Sequence, residues 1–128
     1  MKGLTLVELM IVSLILVVAI VALLVVFINA LNQIALTKEI NIATDDLTDV
    51  LERIKTTAFV DLTTQFPDGA VINSTLIGGF LLQDEAIVVR YPQGTNVDPL
   101  EIEVELTWTS KDSRARSQIF KTLRTQML

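Results

Sequence analysis

The chain has 128 residues, a net charge of −5, and just over half its residues are apolar although only 5% are aromatic. That length allows one domain. Neither Cys nor His occurs, which excludes disulfides, the usual zinc sites, and any triad or general base built on His; acids outnumber scattered Lys and Arg by 15 to 10, which argues against nucleic-acid binding.

The apolar surplus is aliphatic and unevenly placed. Residues 1–3, Met-Lys-Gly, form a short basic stub. From Leu9 to Ile28 the only polar side chain is Ser13. As a helix, these roughly 20 residues would extend ~30 Å, the hydrocarbon thickness of a bilayer. No small-residue cleavage pattern comes after the run; Phe27-Ile28-Asn29-Ala30-Leu31 is a poor candidate. The run therefore reads as a segment retained in the mature chain.

The helical pattern continues past the apolar run. Leu36, Ile40, Ala43, Leu47, Val50, Leu51, Ile54 and Ala58 fall at helical spacing. Lys38, Glu39, Asn41, Asp45, Asp46, Asp49, Glu52 and Lys55 make up the opposite, polar face. No Gly or Pro interrupts the stretch between Leu4 and Gln65. One helix from about Thr5 to Ala58 is expected, roughly 80 Å long. Its first half is apolar all round and its second half amphipathic, as suits burial first among lipids or helices and then on one side.

Phe66-Pro67-Asp68-Gly69 ends the helical region, and Gly78-Gly79 and Tyr91-Pro92-Gln93-Gly94 punctuate the rest of the chain. Asn73–Leu82 reads as either a short strand or a loop. Ala86–Tyr91 reads as a strand. In Leu100–Thr109, Leu100, Ile102, Val104, Leu106 and Trp108 alternate with polar residues, so one face is buried and one wet. Ser110–Ser113 is a polar turn. Arg114–Thr125 can return as an antiparallel partner, with Arg116 and Arg124 available to face the glutamate row.

The expected fold is α+β: a long N-terminal helix packed on a small antiparallel sheet. Residues 4–28 form its hydrophobic transmembrane half, and 29–128 a head made of the amphipathic half (29–59) and a β-rich region (60–128). The part beyond the helix, about 70 residues, is marginal for a core of its own. The helix is expected to lend it an apolar face. Glu101, Glu103 and Glu105 read as a solvated strand face, and Asp45, Asp46 and Asp49 as a wet helix face. Asp84, Glu85 and Asp98 lack the oxygen-rich spacing of a calcium loop, and Trp108 reads as core. No metal site, cofactor or catalytic pair is indicated, so an enzyme is not expected.

The N-terminal stretch Lys2-Gly3-Leu4-Thr5-Leu6-Val7-Glu8-Leu9 resembles the leader junction of type IV prepilins. In that family a short basic leader ends in Gly, an apolar residue comes next, and a Glu lies just inside the apolar helix. By this resemblance residues 1–3 are a leader peptide. A prepilin peptidase cuts between Gly3 and Leu4 on the cytoplasmic side, Leu4 becomes a methylated N-terminus, and Thr5 and Glu8 serve assembly. The family usually has Phe where this chain has Leu4. The resemblance implies a structural subunit of a type IV pilus or pseudopilus. Such a subunit is single-pass in the inner membrane with its head outside the cytoplasm, and then enters the filament. Its implied partners are other pilin or pseudopilin subunits, the prepilin peptidase, the inner-membrane assembly platform and, before assembly, membrane lipid. No nucleic acid is expected among them.

The chain departs from typical major pilins in lacking a Cys pair and a Pro in the membrane half. Glu105-Leu106-Thr107-Trp108-Thr109, a charged turn, then Thr122-Leu123-Arg124-Thr125 is similar to minor pilins of the V type and to the minor pseudopilin I of type II secretion. The alternatives are a type II secretion or competence pseudopilin, and a membrane-anchored binding domain that never polymerises. In the latter, Glu8 merely snorkels at the membrane edge and Lys2 orients the helix.

Overall fold

The computed structural model describes residues 5–79 and 81–126. It contains helix α1 (Leu6–Thr56), a 3-10 turn (Phe59–Asp61), helix α2 (Leu62–Gln65), a second 3-10 turn (Ser74–Ile77), and strands β1 (Gln83–Arg90), β2 (Leu100–Thr109) and β3 (Ala115–Arg124). The strands form an antiparallel sheet in the order β1-β2-β3. The expected α+β arrangement is present, with the long helix ending two residues before Ala58. Among its described residues, Asn73–Leu82 holds the second 3-10 turn and no strand.

The chain divides into two compact units, Met1–Thr37 and Lys38–Leu128. Helix α1 contributes to both. In the first unit every residue from Thr5 to Ile34 is exposed among the described residues.

The second unit has a conventional core. From α1, Ala43, Leu47, Val50 and Ile54 are buried, all at 1% exposure or less. They lie at steps of three and four, one helical face. Ile102, Val104, Leu106 and Trp108 of β2 are buried with them, as are Ile87 and Val89 of β1. Leu51 packs against this core only partly buried. The period-two reading of β2 holds at every position from Leu100 to Thr109.

The ends of α1 and β1 are closed by polar contacts. Arg53 and Lys55 occupy the last turn of α1, where cations suit the helix dipole. Arg124 Nη2 of β3 donates to the Thr57 carbonyl at 2.9 Å, satisfying a group that helix geometry leaves without a partner. The Tyr91 hydroxyl donates to the Phe66 carbonyl at 2.7 Å, and the Tyr91 amide donates to Asp68 Oδ1 at 2.9 Å. Gly69 at φ 73° makes the turn that brings the next residues along β1. Ile72 N donates to Ile87 O at 2.8 Å and Val71 bridges to Val88. That segment covers part of the outer edge of β1, which would otherwise offer bare amides and carbonyls.

Besides Asp46, which is buried at 7% exposure where the wet face of α1 was expected, two expectations about polar residues are corrected. Glu39, expected on the wet face of α1, is 6% exposed. Its carboxylate accepts from Ser110 Oγ, from Trp108 Nε1 at 3.4 Å and from the Lys111 amide at 3.2 Å. Ile40 takes the exposed position instead, at 44%. Glu39 thus ties α1 to the β2–β3 turn. Burial opposes its charge, but the Ser110, Lys111 and Trp108 donors and the Lys111 charge outweigh it and hold the carboxyl below its usual range. The second correction concerns β3. The register sets Arg116 opposite Trp108 and Arg124 opposite Leu100, on the core side, not on the glutamate side. Lys121, opposite Glu103, meets the glutamates.

Truncating Leu47 or Leu106 to Ala should cost ~2–5 kcal/mol each, as for other fully buried leucines. Urea unfolding of a soluble fragment beginning near Asn29 measures this; losses below about half a kcal/mol at both positions would contradict the packing. Glu39 gives up its proton more readily in the folded chain than in the unfolded one. Its contribution is therefore present above the ordinary Glu value of about 4.3 and is lost as pH falls through the lower folded value. Glu39→Ala should cost about 1–3 kcal/mol near neutrality, because buried donors lose their acceptor. Thermal unfolding across pH checks both statements: the acid-side loss should be smaller in Glu39→Gln than in the parent.

Candidate functional site

The candidate site is the start of α1 and the apolar run behind it. Gly3 and Leu4, the expected cleavage and methylation positions, lie outside the described residues. Thr5 and Glu8 are described, and they form a reciprocal pair. Glu8 Oε2 accepts from the Thr5 amide at 2.9 Å and from Thr5 Oγ1 at 3.0 Å. Thr5 Oγ1 in turn accepts from the Glu8 amide at 3.3 Å. This Thr-x-x-Glu arrangement is a capping box: it satisfies amides that the first turn of a helix leaves unpaired. A carboxylate in the first turn also suits the positive end of the helix dipole. The resemblance gave Thr5 and Glu8 roles in assembly; the capping box gives them a local role that sequence reasoning missed. The Thr-x-x-Glu spacing was the available signal.

Behind the cap, Glu8 is the sole ionisable side chain between Thr5 and Thr37. Leu9, Met10, Ile11, Val12, Leu14 and Ile15 are each between 51 and 64% exposed. Ser13 does not interrupt the apolar surface strongly, because its hydroxyl donates to the Met10 carbonyl at 2.9 Å. Helix α1 is long and apolar enough to cross a membrane, and it lies near the N-terminus.

In the second unit the most prominent charged surface is the outer face of the sheet. Glu101, Glu103 and Glu105 are half-buried there, not fully solvated. Lys121 Nζ lies 2.8 Å from Glu103 and 3.7 Å from Glu101. Arg90 Nη2 lies 3.3 Å from Glu105, and Gln93 Nε2 donates to Glu101 at 2.9 Å. The bond and charge of Glu103, with Glu101 adding to them, raise Lys121 above its ordinary value. Two cations thus offset most of the charge of the three glutamates. Asp112 is held below its usual range: its slight burial works the other way, but the Arg114 amide and the bond and charge of Arg116 prevail. The Lys121 and Asp112 contacts fasten the β2–β3 hairpin, and those of Arg90 and Gln93 tie β2 to β1 and the loop after it.

Compared with known proteins, the chain matches no family model, no curated protein and no solved structure. Its own architecture is a long apolar N-terminal helix and a small antiparallel sheet packed on the later part of that helix, an arrangement compatible with a pilin-like fold.

Proposed function

We propose that the chain is a structural subunit, of the minor kind, of a type IV pilus or pseudopilus. In this reading a prepilin peptidase removes residues 1–3, and the apolar half of α1 then moves from the inner membrane into a filament. The observation that carries the reading is the first unit: an apolar helix surface exposed on all sides, with one carboxylate near its start. Aliphatic side chains on every face of a helix need lipid or other helices around them. A carboxylate at the head of such a helix is costly in an apolar setting unless it meets a cation. The amine of Leu4 on a neighbouring subunit is a cation of the right kind. Glu8 then rewards one axial register between neighbours and penalises slipped ones. Low-dielectric surroundings from Leu6, Leu9 and adjacent helices strengthen that pairing relative to water.

A second reading is supported by the Thr5–Glu8 capping box. If starting the helix is the whole role of Glu8, the chain is a membrane-anchored binding domain that does not polymerise. The two readings differ in what they ask of Glu8. Capping uses Thr5 and Glu8 together, whereas assembly uses the charge of Glu8.

Peptide mass analysis of protein from the native host should find a mature chain beginning at Leu4 with a methylated amine, and Gly3 replaced by a bulky residue should leave the leader attached. A retained Met1, or a cut after Ile28, would contradict the proposal. Glu8→Val and Glu8→Gln should leave the protein in the membrane with its second unit folded. Both should lower its recovery in sheared filaments on the order of tenfold or more, as loss of a buried charge partner implies. Thr5→Ala keeps the charge and removes the hydroxyl of the cap, so its recovery should fall much less. Equal, small effects of all three substitutions would remove the charge-pairing role of Glu8, whereas absence of the parent chain itself from the filaments would favour the anchored domain.

A further inference from the structure

Asp46 on α1 and Glu85 on β1 are buried together, at 7% and 8% exposure. The sequence pattern puts Asp46 on a wet helix face with Asp45 and Asp49; those two are exposed, and Asp46 is not. Of the charges that act on Asp46, that of Glu85 is the strongest. Each keeps one buried oxygen, Asp46 Oδ2 and Glu85 Oε1, without a partner among the described residues. The remaining Glu85 oxygen, Oε2, accepts the amides of Leu81 at 3.2 Å and Leu82 at 3.0 Å. We propose that Asp46 and Glu85 share one proton, carried by Asp46, and that this proton latches the Leu81–Ala86 stretch onto α1 and releases it when it leaves.

Ionised carboxyl groups only accept hydrogen bonds, so two of them in contact out of water repel with no donor between them. One proton on Asp46 turns the contact into a donor–acceptor bond. Glu85 is already committed as an acceptor of two amides, which makes Asp46 the better home for the proton.

The surroundings reinforce this. On α1, Asp45 and Asp49 flank Asp46, and the cations Lys38 and Arg53 lie eight and seven residues away, about two helical turns. Glu39, a similar distance away on α1, is engaged by Ser110, Trp108 and Lys111 of the β2–β3 turn. On β1, Asp84 adds a further acid beside Glu85. The segment from residue 73 to residue 82 contains no ionisable side chain. At this end of β1 the β2 partners are Thr107 and Thr109, which carry no charge.

Burial first, then Glu85, Asp49 and Asp45, push Asp46 up to about 7. The ordinary Asp value is about 3.9. Between those values the folded chain keeps a proton that the unfolded chain has lost, so stability at this corner falls as pH rises through that window and levels off above it. The release is local because β1 is weakly anchored here. Its pairing with β2 is irregular between Gln83 and Ala86, and Asp84 sits at φ 52°, in the left-handed region that few residues favour. Opening would also lift Leu82 from the core against which it packs. The inference rests on the second unit alone and is independent of whether the chain polymerises.

Amide hydrogen exchange of the full chain in detergent micelles, corrected for intrinsic rates, tests the latch. Protection of the Leu81 and Leu82 amides should fall by about tenfold or more between about pH 5 and pH 8, while core amides of β2 change much less. Asp46→Asn supplies a permanent donor of the same shape and should keep the low-pH protection throughout. Asp49→Asn, at an exposed position, should leave the transition in place but move it to lower pH. Protection that does not change with pH in the parent chain would overturn the proposal, and so would a fall that persists unaltered in Asp46→Asn.

Discussion

A helix with aliphatic side chains on every face must be covered by something other than water. Along α1 this requirement changes in kind. From Thr5 to Ile34 every residue is exposed among the described residues. From Lys38 onward the same helix buries one face against the sheet, through Ala43, Leu47, Val50 and Ile54. The absence of Gly and Pro from α1 lets one continuous element serve both situations. The functional reading depends on this contrast. The second unit is satisfied by its own packing, while the first is satisfied only by lipid or by other helices.

The second unit lacks the disulfides that often support small domains. It compensates by borrowing the helix. Glu39 reaches the β2–β3 turn, Arg124 reaches the carbonyl of Thr57, and Gln118 Nε2 donates to Thr44 Oγ1 at 3.1 Å. Each contact joins α1, or the residue just after it, to β3 or its turn across about 70 residues of sequence. Without α1 the sheet would expose the core side of β2 to water. The helix is therefore both the membrane-suited element and the main structural support of the folded unit.

Where one periodicity governs a segment, the sequence is readable. The alternation from Leu100 to Trp108 has one register that buries aliphatic residues, and the strand adopts it. The unbroken helical pattern from Leu6 to Ile54 similarly permits little else. Elsewhere the signal is divided. On β3, one face carries Arg116, Gln118, Phe120, Thr122 and Arg124, and the other Ala115, Ser117, Ile119, Lys121 and Leu123. Both faces mix apolar and polar residues, so composition does not say which one turns inward, and it points to the wrong cations for the glutamate row. Glu39 and Asp46 escape the sequence pattern for a different reason. Helical periodicity sends a carboxylate to the wet face unless a partner waits on another element, and those partners, Ser110 and Glu85, are remote in sequence. At the start of α1, the leader-like pattern draws attention to Glu8 but not to its bond with Thr5, because capping and assembly require the same residue.

The central claim is that the apolar half of α1 is covered first by lipid and later by the helices of other subunits. Photo-cross-linking from Leu14, replaced by a benzophenone-bearing amino acid, tests it directly in the native host. The account predicts lipid adducts in the membrane fraction and adducts to pilin-sized proteins in sheared filaments. Lipid adducts in the membrane, with no cross-linked protein in any filament fraction, would contradict it.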